Sequence, residues 1–173
     1  MLNPRLNYTL VSESPAPLFM GELPRDWQDI PARVVVNLCG VFPWGEPFGR
    51  VVLSLPMLDA LENALMPCRA DIERFVDSVH PWASHEPTYW HCHAGLNRSG
   101  VCVASYLHRY RGMRISDAIN HMRSARHPMV LCNATFERSL RDWYGDEDEQ
   151  DFEAFDMQTW LEERQGQRSD WTG

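Results

Sequence analysis

The sequence predicts an α/β domain with a central, mainly parallel β-sheet flanked by helices, and three observations carry that expectation. Short β-prone runs alternate with stretches of helical periodicity, the order that places helices on both sides of a sheet. The run Val34-Val35-Val36 with Leu38 and Cys39 is apolar without alternation, as a parallel strand buried on both faces must be. Glycine or proline closes most segments, at Gly21, Pro56, Pro81, Gly112 and Pro128, which keeps each element short.

In chain order, residues 1–17 are polar and broken by proline, and read as a loosely held lead-in. Residues 18–21 form a strand ending at glycine, and residues 26–30 one helical turn. The strand at 33–39 follows. Residues 41–49 contain two prolines and two glycines and form a loop. Residues 50–55 are a further strand, which Pro56 ends. Ala70, Ile72, Phe75, Val76 and Val79 recur at helical spacing, and Pro81 is expected to stop that helix. Residues 88–91 are β-prone, and residues 99–110 are helical until Gly112. A helix over 115–126 takes Ser116 as its expected cap, with Asp117 in the first turn favouring its dipole. Asn133 is the expected cap of a last helix reaching Tyr144, with Phe136, Leu140 and Trp143 on one face.

A chain of 173 residues is long enough for one domain with a sizeable core. No run of about 18 apolar residues occurs, so no membrane span is expected. Residues 1–5 are not followed by an apolar signal core, and the five cysteines are odd in number without close spacings. Both observations point to a reducing, cytoplasmic compartment. All 16 basic residues are arginine. The missing lysine excludes a Gly-x4-Gly-Lys nucleotide loop and Schiff-base chemistry. From Gly145 to Gly173 ten acidic residues face two arginines, so this segment carries the whole net charge of −8. The division is therefore a lead-in over 1–17, a body over 18–144 and an acidic tail over 145–173. A neutral body with an acidic tail is a poor electrostatic match to nucleic acid.

The chemistry concentrates in Trp90-His91-Cys92-His93-Ala94-Gly95-Leu96-Asn97-Arg98-Ser99-Gly100, a strand end, a tight loop and a helix start. Backbone N–H groups of a loop that opens a helix converge on an anion. A guanidinium closes such a ring with a two-pronged grip. A cysteine at its floor feels the same positive field, which favours the nucleophilic thiolate. A metal site from His91, Cys92 and His93 lacks the paired ligand spacings of zinc sites, and no metal or cofactor is expected.

This stretch matches His-Cys-x5-Arg-Ser/Thr at His91, Cys92, Gly95, Arg98 and Ser99, and so resembles the cysteine-dependent protein tyrosine phosphatase superfamily. The similarity covers about residues 18–144. It looks like the small dual-specificity branch, through residues 18–21, Val35-Val36-Asn37-Leu38, Ala118-Ile119, Arg126, Asn133, Phe136 and Leu140. The resemblance implies the protein tyrosine phosphatase-like, dual-specificity phosphatase fold. It also implies a phosphomonoester hydrolase that dephosphorylates tyrosine and serine/threonine through a phosphocysteine, with a phosphorylated protein or a small phosphate ester as substrate.

In that reading Cys92 is the nucleophile and Arg98 the phosphate clamp. The backbone of His93, Ala94, Gly95, Leu96, Asn97 and Arg98 lines the phosphate loop, and His91 braces it. Ser99 assists departure of the sulfur; its plain alternative is a helix cap. The family's general acid precedes the cysteine by roughly thirty residues, which implies Asp59. The competing role for Asp59 is capping a helix that begins near Leu61; Glu62 is the substitute acid, and Asp71 lies too far along. Asn97 before the arginine also resembles RNA 5′-triphosphatase members, an alternative alongside other non-protein phosphate esters. A non-catalytic phosphate-binding module is disfavoured by the joint presence of cysteine, arginine and aspartate. Phe152, Phe155, Trp160 and Leu161 make the tail either an arm for a partner or a solvated segment. Cys39, ending its strand beside the strand that feeds the loop, is the candidate redox partner of Cys92, with core filling as its alternative. Cys102 is expected to point into the core, and Cys68 and Cys132 have no evident place near the site.

Overall fold

Residues along a strand point alternately to the two faces of a sheet, and here the two sets enter two different cores. The computed structural model describes residues 7–59 and 65–145. Residues 1–6 of the lead-in, the helix start near Leu61, Glu62 and the tail with Phe152, Phe155, Trp160 and Leu161 lie outside them. Five strands, β1 (Tyr8–Ser12), β2 (Leu18–Gly21), β3 (Val34–Asn37), β4 (Val51–Ser54) and β5 (Thr88–His91), form one sheet in the order β1-β2-β5-β3-β4. β5 runs parallel to β2 and β3, and β3 parallel to β4, so four strands share one carboxyl end. The mainly parallel sheet expected from the sequence is the one observed, with β3 in its interior.

Four helices follow from the apolar spacings: α1 (Arg69–Ala83), α2 (Arg98–Arg111), α3 (Ile115–Ala125) and α4 (Ala134–Tyr144). Leu18, Met20, Val36 and Trp90 face a core shared with Ile72, Val76, Val103, Ile119, Phe136 and others from all four helices. Phe19, Val35, Val52 and Tyr89 face the opposite way, against Trp27, Ile30 and Ala32. The helices therefore share one face instead of dividing between two. Among the described residues the second face is covered by one 3₁₀ turn, Trp27–Asp29, where Arg50 ties the chain to the carbonyls of Trp27, Ile30 and Ala32. The turn agrees with the expectation for residues 26–30, and Asp26 caps it through the Gln28 amide at 2.9 Å.

Three local expectations are corrected. The lead-in is not loose along its whole length: Tyr8–Ser12 is an edge strand antiparallel to β2. Its polar surroundings hide two anchors, Val11 in the helical core and Tyr8 edge-on to Phe19 and Tyr89 at 5.7 and 6.1 Å. Pro81 does not stop α1, which runs to Ala83. In the last turn a proline forfeits one amide bond, and burial of Val79 and Ala83 holds the turn. Ser116 does not cap α3; the helix starts at Ile115, as expected, with Arg114 at the cap position, because Ile115 is drawn fully into the core. Asn133 does cap α4, accepting the Thr135 amide at 3.0 Å.

Candidate active site

The loop between β5 and α2 sits at the common carboxyl end of the parallel strands, where open α/β sheets bind ligands. Its carbonyls are all engaged on the outside. The His93 oxygen accepts from the Leu23 amide at 2.9 Å and the Leu96 oxygen from the Leu131 amide at 3.3 Å. Arg126, at the end of α3, donates to the Gly95 oxygen at 2.7 Å and the Ala94 oxygen at 3.1 Å. The Asn97 oxygen takes the Val101 amide at 2.9 Å and starts α2. With the carbonyls turned outward, the peptide N–H groups turn inward. Among the described residues, none of the amides from His93 to Arg98 meets a protein acceptor. This is the anion cradle that the sequence suggests, and its donors are backbone.

Gly95 makes the curve possible. It has φ +66°, and a β-carbon there would collide with the carbonyl of Gly21 at the end of β2. The loop is thus pressed against the neighbouring strand where no side chain fits.

Cys92 forms the floor, 1 % exposed. The Ser99 hydroxyl is fully buried, with its oxygen 3.5 Å from the Cys92 sulfur. Ser99 lies within α2, which begins at Arg98, so the plain helix-cap alternative does not describe it. Arg98 is held over the cradle by a 3.3 Å bond from Nη1 to the Met57 carbonyl. Its Nε is 4.0 Å from Asp59 Oδ2. Met57 and Asp59 lie on the segment after β4, so one short stretch aligns both the guanidinium and the carboxylate. The Asp59 side chain is 38 % exposed and stands at the mouth. Asn97 Nδ2 reaches its oxygens at 3.2 and 3.3 Å, and Asn133 Nδ2 reaches Oδ1 at 2.9 Å.

His91 is fully buried behind the loop, with Nδ1 3.4 Å from the Cys92 carbonyl. Burial depresses its pKa to about 4, so it is neutral at pH 7 and acts as a donor to that carbonyl. That contact ties the imidazole to the carbonyl from which the loop departs.

Cys39 follows β3, whose Asn37 is paired with His91 in the sheet. Its thiol lies near the Asn37 amide oxygen at 3.5 Å, and burial raises its pKa more than the Val41 carbonyl and Arg98 lower it. Cys102 is wholly buried in α2, as expected. Cys132 is closer than the sequence indicated, donating to Asn97 Oδ1 at 3.5 Å. Three features went unseen in the sequence: the Arg126 brace, the Asn133 contact with Asp59 and the Met57 carbonyl. Arg126 and Asn133 were visible only as parts of a resemblance, since their partners lie 31 and 74 residues away. Among the described residues no cluster of three or more histidine, cysteine or acidic groups could hold a metal ion.

The comparisons with known proteins agree with this geometry. The family described as "Dual specificity phosphatase, catalytic domain" matches residues 33–146. The phosphatidylglycerophosphate phosphatase PTPMT2 of Arabidopsis thaliana is 30 % identical over 136 residues, 73 % of this chain and 59 % of that protein. Dual specificity protein phosphatase 14 of Mus musculus is 31 % identical over 78 residues, 44 % of this chain and 39 % of that one. The chain thus spans less than two thirds of the length of these curated relatives. Human DUSP28 superposes with a TM-score of 0.65 at 22 % identity, covering 79 % of this chain and 94 % of that structure. PTPMT1 superposes with a TM-score of 0.55 at 22 % identity, covering 79 % and 97 %. The sheet, the helices on one face and the cysteine-floored loop place this chain in the dual specificity phosphatase catalytic-domain family, within the cysteine-based protein tyrosine phosphatase superfamily.

Proposed function

We propose that the chain is a cysteine-dependent phosphomonoester hydrolase that acts on phosphorylated tyrosine and serine/threonine side chains. The observation that carries this reading is the convergence of Cys92, Ser99, Arg98 and Asp59 on one ring of inward-facing amides. The phosphoryl oxygens bind the amides and the Arg98 fork, which stabilise the charge of the transferring group. The Cys92 thiolate attacks phosphorus, and the phosphorus–oxygen bond to the leaving group breaks. Asp59 gives its proton to the departing oxygen. In the second half, Asp59 takes a proton from water as the water oxygen attacks phosphorus. The sulfur then leaves as thiolate, helped by a hydrogen bond from the Ser99 hydroxyl. The five cysteines are all unpaired thiols, which supports the reading of a reducing, cytoplasmic setting.

A lipid phosphate ester is the second reading. It is favoured by an apolar groove of about 660 Å³ beside the Asp59 segment, lined by Leu55, Met57, Leu58, Met66 and Phe75 among others. A cavity of that size suits a hydrophobic substituent, and the Arabidopsis relative is named for a lipid phosphate. Against it, the loop's variable positions His93, Ala94, Leu96 and Asn97 bring no lysine or arginine to a polyanionic headgroup.

The test is phosphate release measured side by side on phosphotyrosine and phosphoserine peptides, phosphatidylglycerophosphate, phosphoinositides and triphosphate-ended RNA. Peptide turnover well above lipid turnover supports the first reading, and the reverse order supports the second. Cys92→Ser should abolish every activity while phosphate still binds. Substantial turnover in that variant rejects the phosphocysteine route. For Cys39 the corresponding proposal is a disulfide with Cys92 after mild peroxide. Mass spectrometry should find that linked peptide, and a linkage to Cys132 instead would reject it.

A further inference from the structure

The Asp59 carboxylate is met by two primary amides from separate elements, Asn97 at the end of the phosphate loop and Asn133 at the head of α4. The orientation of each amide is set by its own oxygen. Asn97 Oδ1 accepts the Asn133 backbone N–H at 3.0 Å and the Cys132 thiol at 3.5 Å. Asn133 Oδ1 accepts the Thr135 N–H at 3.0 Å as the cap of α4. An amide whose oxygen is committed to donors must present its NH2 the other way. Both NH2 groups therefore point at Asp59, and both are fixed by hydrogen bonds that do not involve Asp59. The two carboxylate oxygens are served unequally. Oδ1 receives Asn133 at 2.9 Å and Asn97 at 3.3 Å, whereas Oδ2 receives the second, 3.2 Å branch of the Asn97 bond and faces Arg98 Nε at 4.0 Å.

We infer that Asn97 and Asn133 form a preset seat for Asp59 that loads Oδ1 more heavily and leaves Oδ2 as the oxygen that gives and takes the proton. The inference rests on the reading of Asp59 as the general acid. Oδ1 carries the whole Asn133 bond and one branch of the Asn97 bond, and Oδ2 only the other branch, so the acidic hydrogen sits on Oδ2, on the side of the guanidinium that clamps the phosphate. In the first half-reaction that hydrogen passes from Oδ2 to the leaving oxygen as the Cys92–phosphorus bond forms. In the second, Oδ2 receives a hydrogen from the attacking water as the sulfur departs. Asn97 and Asn133 are positioning residues, acting through Asp59. The seat also accounts for the asparagine before Arg98: its amide is spent inside the protein on the acid and on the α4 turn, so its identity does not argue for an RNA substrate.

The test uses Asn133→Ser in the full chain. Serine keeps an oxygen for the Thr135 amide and caps helices about as well as asparagine, but it removes the NH2 group. Asn133→Asp, isosteric and also a good cap, replaces the donor with an acceptor and serves if the first variant fails to fold. The expected result is a roughly 10- to 100-fold loss of kcat/KM on an alkyl phosphate, the scale of a misplaced catalytic group. On a nitrophenyl phosphate, whose leaving group needs no proton, kcat/KM, which reports only the first half-reaction, should be nearly unchanged, as should competitive inhibition by inorganic phosphate. In an Asp59→Asn background the Asn133 substitution should cost nothing further. A leaving-group-dependent loss in Asp59→Asn, with none in either Asn133 variant, overturns the seat alone. Equal losses of kcat/KM on both esters in the Asn133 variants also overturn it. Absence of any leaving-group dependence in Asp59→Asn overturns the acid assignment itself.

Discussion

His91 illustrates how one buried side chain ties the site to the stability of the whole. Its pKa falls from 6.5 to about 4 on folding because the imidazolium cannot be solvated behind the loop. The unfolded chain therefore binds the proton more readily, and protonation favours unfolding. The stability so contributed is fully present above pH ~6.5 and is lost as pH falls from there toward 4, amounting to roughly 3 kcal/mol at about 1.4 kcal/mol per unit. Urea unfolding at pH 7 and near pH 4 should show that loss in the native chain and a smaller one in His91→Gln. Arg126 makes a second case at this scale. Its guanidinium replaces water on two carbonyls of the loop, so Arg126→Leu should slow alkyl and nitrophenyl phosphates alike, by about 10-fold or more. Sparing of the nitrophenyl ester would mean that the brace serves Asp59 and not the cradle.

At the scale of elements, the turn between α3 and α4 does more than connect. It carries Leu131, whose amide holds the Leu96 carbonyl, and Asn133, which meets Asp59. The turn is locked by Glu137, fully buried in α4, with Arg123 of α3 at 2.7 Å and Arg141 at 3.1 Å. Removing one member of a buried ionic group costs about 3–5 kcal/mol, because the remaining charges keep their desolvation penalty. Glu137→Ala should lower the free energy of unfolding by about that amount, read as a fall in the denaturant midpoint, and at temperatures where it stays folded it should also impair catalysis, with no contact to substrate. Full activity with full stability would show that the turn does not need the lock. Much of this level was legible in the sequence. Strands β2 to β5, the order of the helices, the αL stop at Gly112 and the Asn133 cap follow from local residue chemistry. Pro81 and Ser116 misled because buried neighbours, Val79, Ala83 and Ile115, outweighed a local signal. The Cys92 loop was legible because its residues are contiguous. Arg126, Asn133 and Cys132 were not, because each reaches the site across the fold.

For the whole molecule, charge and packing divide in the same way. The α-helices stand on one face of the sheet, the other is closed by a 3₁₀ turn and Arg50, and the net charge is carried by residues 145–173. The contacts of the site described above are all made within residues 21–135. Deletion of residues 146–173 should therefore leave turnover of a small aryl phosphate within about twofold, the scatter expected of a change that touches none of those contacts. Collapse of that activity, or of the thermal transition, would assign residues 146–173 a place in the body.

The outward carbonyls of the phosphate loop have one more consequence, in the traffic of hydrogen with solvent. Amides of β5 and α2 are tied into regular ladders, and deuterium should replace their protons only as the domain opens. The amides from His93 to Arg98 lie between these two slow elements without an acceptor among the described residues. In the unliganded protein they should therefore take up deuterium early, although the backbone that bears them is held still by Leu23, Arg126 and Leu131. Inorganic phosphate should then silence that uptake across the six residues together, while β5 and α2 remain as slow as before. Such a pattern, fast exchange from a rigid segment, separates a cradle shaped in advance from a loop that folds around its anion, for which uptake would slow in the flanking elements as well.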